Sequence, residues 1–195
     1  MRNSEVLRKT NETDISLTLE LDSSAPSSIK SGVDFFDHML SAVAKHGKMK
    51  IDLLCSGDTN VDDHHSVEDI GICLGTAFKK ALGDKKGITR FGTASVPMDE
   101  ALSSVSIDIS GRGYYRYNGV KLNGYIKTYD EELTNEFFQS FAINAEISLH
   151  INLLYGDNRH HIHESIYKSF AVALYTAYSI NDKNIGTIPS TKGVL

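Results

Sequence analysis

The chain has 195 residues, 41% of them hydrophobic and 23% charged, which is enough apolar content for one sizeable core. Twenty Lys and Arg against 25 Asp and Glu leave a formal charge of -5, which argues against a general nucleic-acid binder but leaves room for a small anion held by a few local cations. No apolar run approaches the roughly 20 residues of a membrane helix, residues 1–12 lack the apolar core of a secretory signal, and Cys55 and Cys73 lie in apolar stretches as buried thiols of a reducing compartment do, so the expected location is cytoplasmic.

In chain order, residues 1–12 are polar and charged, and 15–21 alternate as a strand. Residues 23–31 are Ser/Pro-rich and read as a loop. Phe35, Phe36, Met39, Leu40, Val43 and Ala44 recur at the helical period over 33–45, and Gly47 would end that helix. A strand follows at 49–55. Residues 64–82 form a second helix, apolar at Val67, Ile70, Leu74, Ala77, Phe78 and Ala81 and closed by Gly83. Gly71 and Gly75 weaken it, but their spacing would let another helix approach closely. Strands are predicted at 93–96, 104–109, 114–117 and 147–154, and helices at 131–145 and 160–178. The tail beyond Ser179 reads as irregular.

The two halves repeat one another. Asp34-Phe35-Phe36, Gly57-Asp58 and His64-His65-Ser66-Val67-Glu68 are answered by Glu136-Phe137-Phe138, Gly156-Asp157 and His160-His161-Ile162-His163-Glu164. Two copies are too few for a solenoid, so the expectation is an α+β fold built as an internal duplication, with half-domains 1–92 and 93–195 sharing a core without a linker.

His64 and Glu68, four apart on a helix, project from one face and make a chelating arm for a divalent metal; His160 and Glu164 make another. His65 and His161 point about 100° away and cannot easily serve the same ion as their neighbours. A crossed arrangement resolves this. One ion takes His64, Glu68 and His161, the second takes His160, Glu164 and His65, and His38 or Glu136 offers a fourth donor. Imidazole with carboxylate suits Mn²⁺, Fe²⁺ or Zn²⁺ better than Mg²⁺ or Ca²⁺. Asp62 or Asp63 could cap the helix or partner a ligand imidazole, capping being favoured; Asp99 and Glu100 could be an acid pair near the metal or structural charges, the latter favoured; and His150 and His163 are expected to be partnered structural histidines. A binuclear phosphatase and a metal-stapled storage protein share these ligands. Product identity separates the first from other chemistry, and indifference to Glu12→Gln would mark the second.

Several stretches carry a resemblance that runs through the chain in order. They include Arg8-Lys9-Thr10-Asn11-Glu12-Thr13, Phe35-Phe36-Asp37-His38-Met39-Leu40, Asp62-Asp63-His64-His65-Ser66-Val67-Glu68-Asp69, Gly87-Ile88-Thr89-Arg90-Phe91-Gly92, Val96-Pro97-Met98-Asp99-Glu100-Ala101-Leu102, Ser110-Gly111-Arg112, Asn158-Arg159-His160-His161-Ile162-His163-Glu164 and Pro189-Ser190-Thr191-Lys192-Gly193-Val194-Leu195. With these the chain resembles the imidazoleglycerol-phosphate dehydratases of histidine biosynthesis. The resemblance implies a helical layer sandwiched between two four-stranded mixed β-sheets, and a homo-oligomer of 24 subunits with metal sites at subunit contacts. It implies two Mn²⁺ per active site, one on His38, His65, His160 and Glu164, the other on His64, Glu68, His161 and Glu136, where the family often has His. Ser23, Ser31 and Gly113 depart from its usual Gly, Thr and Pro, all in loops. The implied reaction removes water from imidazole glycerol phosphate to give imidazole acetol phosphate, through an imidazolate stabilised by the two metals. Glu12, His64, His65 and Glu164 would be catalytic, with Glu12 as acid/base. Arg90, Arg112, Ser190, Thr191 and Lys192 would hold the phosphate, with Glu12, His38, His46 and Lys168 also lining the substrate pocket.

Overall fold

Strand alternation and helix periodicity resolve into two β-sheets enclosing four helices in a computed structural model, which describes residues 2–195. The first half supplies β1 (Asn3–Lys9), β2 (Thr13–Leu21), β3 (Ser28–Lys30), α1 (Asp34–His46), β4 (Met49–Gly57) and α2 (His64–Leu82). The second supplies β5 (Phe91–Met98), β6 (Ala101–Asp108), β7 (Tyr114–Asn118), a small β8–β9 hairpin (Tyr125–Ile126, Tyr129–Asp130), α3 (Leu133–Ala145), β10 (Ser148–Tyr155) and α4 (Arg159–Tyr178). The sheets run β1-β2-β4-β3 and β5-β6-β10-β7, both mixed, because β3 and β7 join parallel to β4 and β10. The duplication thus repeats in topology, and the halves meet between α2 and β5.

Alternation builds the sheets: Ile15, Leu17, Leu19 and Leu21 of β2 point inward with 1% exposure or less while Asp14 and Ser16 face out. The apolar helix stripes fill the space between, with α2 packed on β1 and β2 and α4 on β5 and β6. Phe36, Phe137, Phe138, Phe141, Tyr167 and Phe170 form an aromatic chain through the layer, with neighbouring ring centroids near 5 Å. Gly71 and Gly75 admit α3 as their spacing suggests: a Cβ at Gly75 would stand 2.5 Å from the Phe141 carbonyl oxygen, and one at Gly71 would stand 2.9 Å from that of Phe137. Those contacts make α2 and α3 parallel, and His38 beside His160 with Gly47 facing the Ala171 carbonyl makes α1 and α4 parallel. All four helices therefore begin at one end of the molecule.

Four segments differ from the sequence reading, the first being the β8–β9 hairpin, whose two-residue strands are too short to show a period. The polar segment 1–12 contains β1, an edge strand on which Val6 alone is buried, so its alternation had almost no hydrophobic component. Glu12 accordingly lies in the β1–β2 turn, after the first strand and not before it. The Ser/Pro loop contains the three-residue edge strand β3. The tail is irregular apart from a 3-10 turn at Asp182–Asn184 and a bridge between Ile88 and Ile180.

Candidate metal and substrate site

At the common N-terminal end of the helices, His38 of α1 and His160 and Glu164 of α4 converge. His38 Nε2 lies 3.0 Å and His160 Nε2 3.1 Å from Glu164 Oε1, and one donor atom from each of the three falls within 4.8 Å of the others. The helical offset of four stacks His160 over Glu164, as the sequence spacing requires. Lys168, one turn further along, also grips Glu164. Burial pushes the Glu164 carboxyl up, but Lys168, His38 and His160 outweigh it and hold the group at about 2.

The other arm has the same offset. His64 Nε2 and Glu68 Oε2 stand 3.6 Å apart on α2. His64 and Glu136 line one cavity of about 390 Å³ together with Asp62, Asp63 and residues of the β8–β9 hairpin. Asp62 Oδ1 accepts from the His64 backbone N–H, the capping role expected, whereas Asp63 makes no side-chain cap bond and its carboxyl is pushed up by burial. Asn158 caps α4 in the same way through the His160 and His161 amides.

His65 and His161 stay out of both clusters. His65 Nδ1 donates to Asp58 at 3.1 Å and His161 Nδ1 to Glu100 at 2.6 Å, so each ring leaves Nε2 with the free lone pair. Asp58 raises the His65 pKa, Glu100 raises that of His161, and His161 with two backbone amides holds Glu100 at about 2. Of the two readings open for Glu100, its bond to His161 favours the acid beside a ligand histidine over the structural charge, and Asp58 was a partner that sequence reasoning passed over. Its place in the repeated Gly-Asp pair ahead of the histidines was the available signal. The repeat does not predict Glu100, because Asp157 is the sequence counterpart of Asp58 and does not take its place.

The β2–β4 register pairs Thr13 with Gly57 and so sets the Glu12 turn beside Asp58. Glu12 Oε1 reaches to 3.6 Å from His65 Nε2. The turn is braced: Thr10 Oγ1 accepts from the Glu12 and Thr13 amides, while Asp69 of α2 accepts from the Thr13 hydroxyl at 2.5 Å and pairs with Arg8 at 2.8 Å. The equivalent β5–β6 turn carries Asp99, 3.8 Å from His161 Nε2. His46 lies near Lys168 and Glu164, and burial followed by the Lys168 charge lowers its pKa. His163 is fully buried, with Nδ1 at 3.0 Å from the Thr134 hydroxyl and Nε2 3.6 Å from Glu131, as a structural histidine should be, whereas His150 is exposed and lies against Tyr114.

The anion-binding candidates lie at the opposite end. The Arg90 amide bonds the Ala177 carbonyl near the end of α4, and roughly 25 Å of helix rise separates Ala177 from His160. The Arg90 guanidinium donates to Asp108 at 2.8 Å and to the Pro189 carbonyl at 2.9 Å, pinning the tail. Arg112 is exposed and makes only a 3.4 Å contact to the Ser110 carbonyl. Thr191 and Lys192 are exposed too, and the Ser190 hydroxyl accepts from the Lys192 amide. One copy of the chain thus brings together His38, His160, Glu164 and Lys168 and, separately, Glu12, Asp58 and His65. It does not bring Arg90, Arg112, Ser190, Thr191 or Lys192 to either group.

Comparison with known proteins gives one answer. The family model for imidazoleglycerol-phosphate dehydratase matches residues 31–174. Imidazoleglycerol-phosphate dehydratases from Oceanobacillus iheyensis and Clostridium kluyveri are 56% and 51% identical over 195 residues, covering all of both chains in each case. A crystal structure of the Staphylococcus aureus enzyme superposes with a TM-score of 0.84 at 37% identity, over 92% of this chain and 99% of that one. One from Pyrococcus furiosus gives 0.82 at 35%, over 97% and 100%. The chain belongs to the imidazoleglycerol-phosphate dehydratase family.

Proposed function

We propose that this protein dehydrates imidazole glycerol phosphate to imidazole acetol phosphate in histidine biosynthesis, in a centre holding two divalent ions, Mn²⁺ by preference, and assembled from more than one copy of the chain. The observation that carries the reading is the pair of His/Glu arms at the common helix end, one of them already converging with His38, in a member of this family. Imidazole nitrogens and carboxylate oxygens in this mixture fit a divalent transition ion. His38, His160 and Glu164 would hold one ion with a neighbour's His65, and His64, Glu68 and Glu136 the other with a neighbour's His161. When bound, the ions make the substrate's imidazole ring able to carry negative charge, the role a divalent metal plays toward bound water.

The chain's own groups would do the rest. Asp58 and Glu100 keep the proton on Nδ1 of His65 and His161 and so keep Nε2 available. Glu12, in a turn held by the Thr10 and Asp69 bonds, would take the proton from C2 of the glycerol side chain as the hydroxyl on C3, beside the ring, departs, proton and hydroxide leaving together as one water. The resulting enol gives the ketone. Lys168 and His46 would border the substrate near the ring, and Arg112, Lys192, Ser190, Thr191 and Arg90 from another copy would hold the phosphate.

Two features favour the multi-chain form. The phosphate candidates sit a helix length from the metal candidates within one chain. Leu54, Val61, Leu154 and Tyr155, each more than half exposed, crowd the metal-bearing end, where a neighbouring copy would cover them. An assembly of 24 subunits is part of the proposal. No helix among the described residues is long and apolar enough to cross a membrane, in keeping with a cytoplasmic setting. The test is a metal-replete assay on imidazole glycerol phosphate with product identification: ketone without free phosphate supports dehydration, and released phosphate refutes it.

A further inference from the structure

We propose that the two ion positions are unequal, the one built on His64, Glu68 and Glu136 filling first and holding its ion more tightly than the one built on His38, His160 and Glu164. The inference rests on the two-ion reading above and concerns what that reading leaves open, the order of loading.

Much is common to the two positions. Each His/Glu arm opens a helix, and the helices are parallel, so the positive ends of their dipoles oppose cations alike at both. Each crossing histidine has its Nδ1 proton held by a carboxylate, Asp58 or Glu100. These shared features cancel in a comparison, which leaves the side chains that differ.

The first difference is Lys168. It stands one turn after Glu164, and its ammonium already grips that carboxylate, with a second contact to Met98 Sδ at 3.4 Å. The corresponding turn of α2, after Glu68, carries Ile72. A dication entering beside Glu164 must displace or repel a fixed positive charge, whereas one entering beside Glu68 meets none on that helix. The second difference is the donor from the neighbouring helix. His38 is a neutral imidazole donor, and Glu136, lining the cavity with His64, is a carboxylate. The third is the surroundings. The residues lining the His64 cavity include Asp62, Asp63 and Asp130 and no Lys or Arg. Glu132 in the same lining is answered by Lys121 at 2.8 Å and adds little. One position therefore has a single carboxylate already neutralised by an ammonium, and the other has two, Glu136 in the acidic cavity and Glu68 one turn after His64, with the nearby Arg8 guanidinium already paired to Asp69 at 2.8 Å. A unit charge a few ångströms from a dication, even in a high effective dielectric, changes its affinity by about tenfold or more.

Metal-stripped full-length protein titrated with Mn²⁺, free ion read by electron paramagnetic resonance and total ion by elemental analysis, tests the proposal. The expected result is two classes of one ion per chain separated by about tenfold or more. Lys168→Met should strengthen the weaker class and leave the tighter one in place. Glu136→Gln should weaken the tighter class and narrow the gap from the other side. Two ions per chain in a single class, or a Lys168→Met effect confined to the tighter class, would overturn the ordering while leaving the two-ion centre intact. One ion per chain at saturation would overturn both. Circular dichroism of each variant separates lost folding from lost affinity.

Discussion

The two ends of the helical layer differ in how their polar groups are used. At the N-terminal end, imidazoles and carboxylates are gathered against one another, His38 and His160 on Glu164, His65 on Asp58 and His161 on Glu100. At the C-terminal end, Arg90 is spent on Asp108 and on the tail, while the side chains of Arg112 and Lys192 have almost no partners among the described residues. On the reading proposed above, one end would be half of a chemical centre and the other half of an anion site. The lesson is that one fold unit carries two sets of polar groups too far apart to meet, so under the proposed function the arrangement of copies would decide activity.

The sharpest way to break that contrast is at the Glu12 turn. Glu12→Gln should lower kcat by about 10²- to 10⁴-fold, the range for a lost acid/base group, with metal content and particle size unchanged. A parallel loss of metal would make Glu12 a ligand instead. Next come the carboxylates behind the crossing histidines. Asp58→Asn and Glu100→Gln should each weaken metal binding by about 10- to 100-fold, measured by dialysis against a graded chelator, because the tautomer is no longer fixed. At the opposite end, Arg112→Ala should lower kcat/KM by about 10- to 100-fold with an unaltered melting temperature, while Arg90→Ala should lower both, since Arg90 also holds Asp108 and Pro189. Equal melting losses for the two would erase the distinction drawn between them.

A smaller effect concerns pH. Glu164 is held at about 2, against an ordinary value of 4.5, so its contribution to the stability of the metal-free protein is complete above about pH 4.5 and is lost as pH falls from there toward 2. Glu164→Gln should flatten that acid limb in denaturant titrations, and an unchanged limb would place the stabilisation elsewhere. The interior gives a control remote from both ends. Gly75→Ala should cost about 1–3 kcal/mol of stability, because its Cβ would press on the α3 backbone, which cannot give way as a side chain can.

Periodicity made the central helices legible. The boundaries of α2, His64 to Leu82, coincide with those read from its apolar stripe and closing glycine, and the two His/Glu arms follow from a spacing of four. The edge strands β1 and β3 were illegible because strands with one face in water and few buried residues carry little hydrophobic signal. The duplication was visible in the repeated His-His pairs, and with it the idea that His65 and His161 serve across a boundary. Spacing could not show that the boundary is not bridged within one chain, since that depends on all four helices being parallel and on which sheet edge each turn occupies. The partner of Glu100 was out of reach for the same reason: its bond to His161 is made by strand register, not by sequence separation.

Mixing two impaired variants at limiting substrate tests the shared centre most directly. Glu164→Gln disables the metal-bearing end and Arg112→Ala the anion-bearing end of every copy. If each centre draws these residues from different chains, dissociating the two proteins, combining them and reassembling them with metal must create some centres with both ends intact, and a measurable fraction of wild-type turnover should return. Reassembled mixtures of normal particle size that show no gain over the mean of their parents would mean that both residues act within a single chain, contradicting the account.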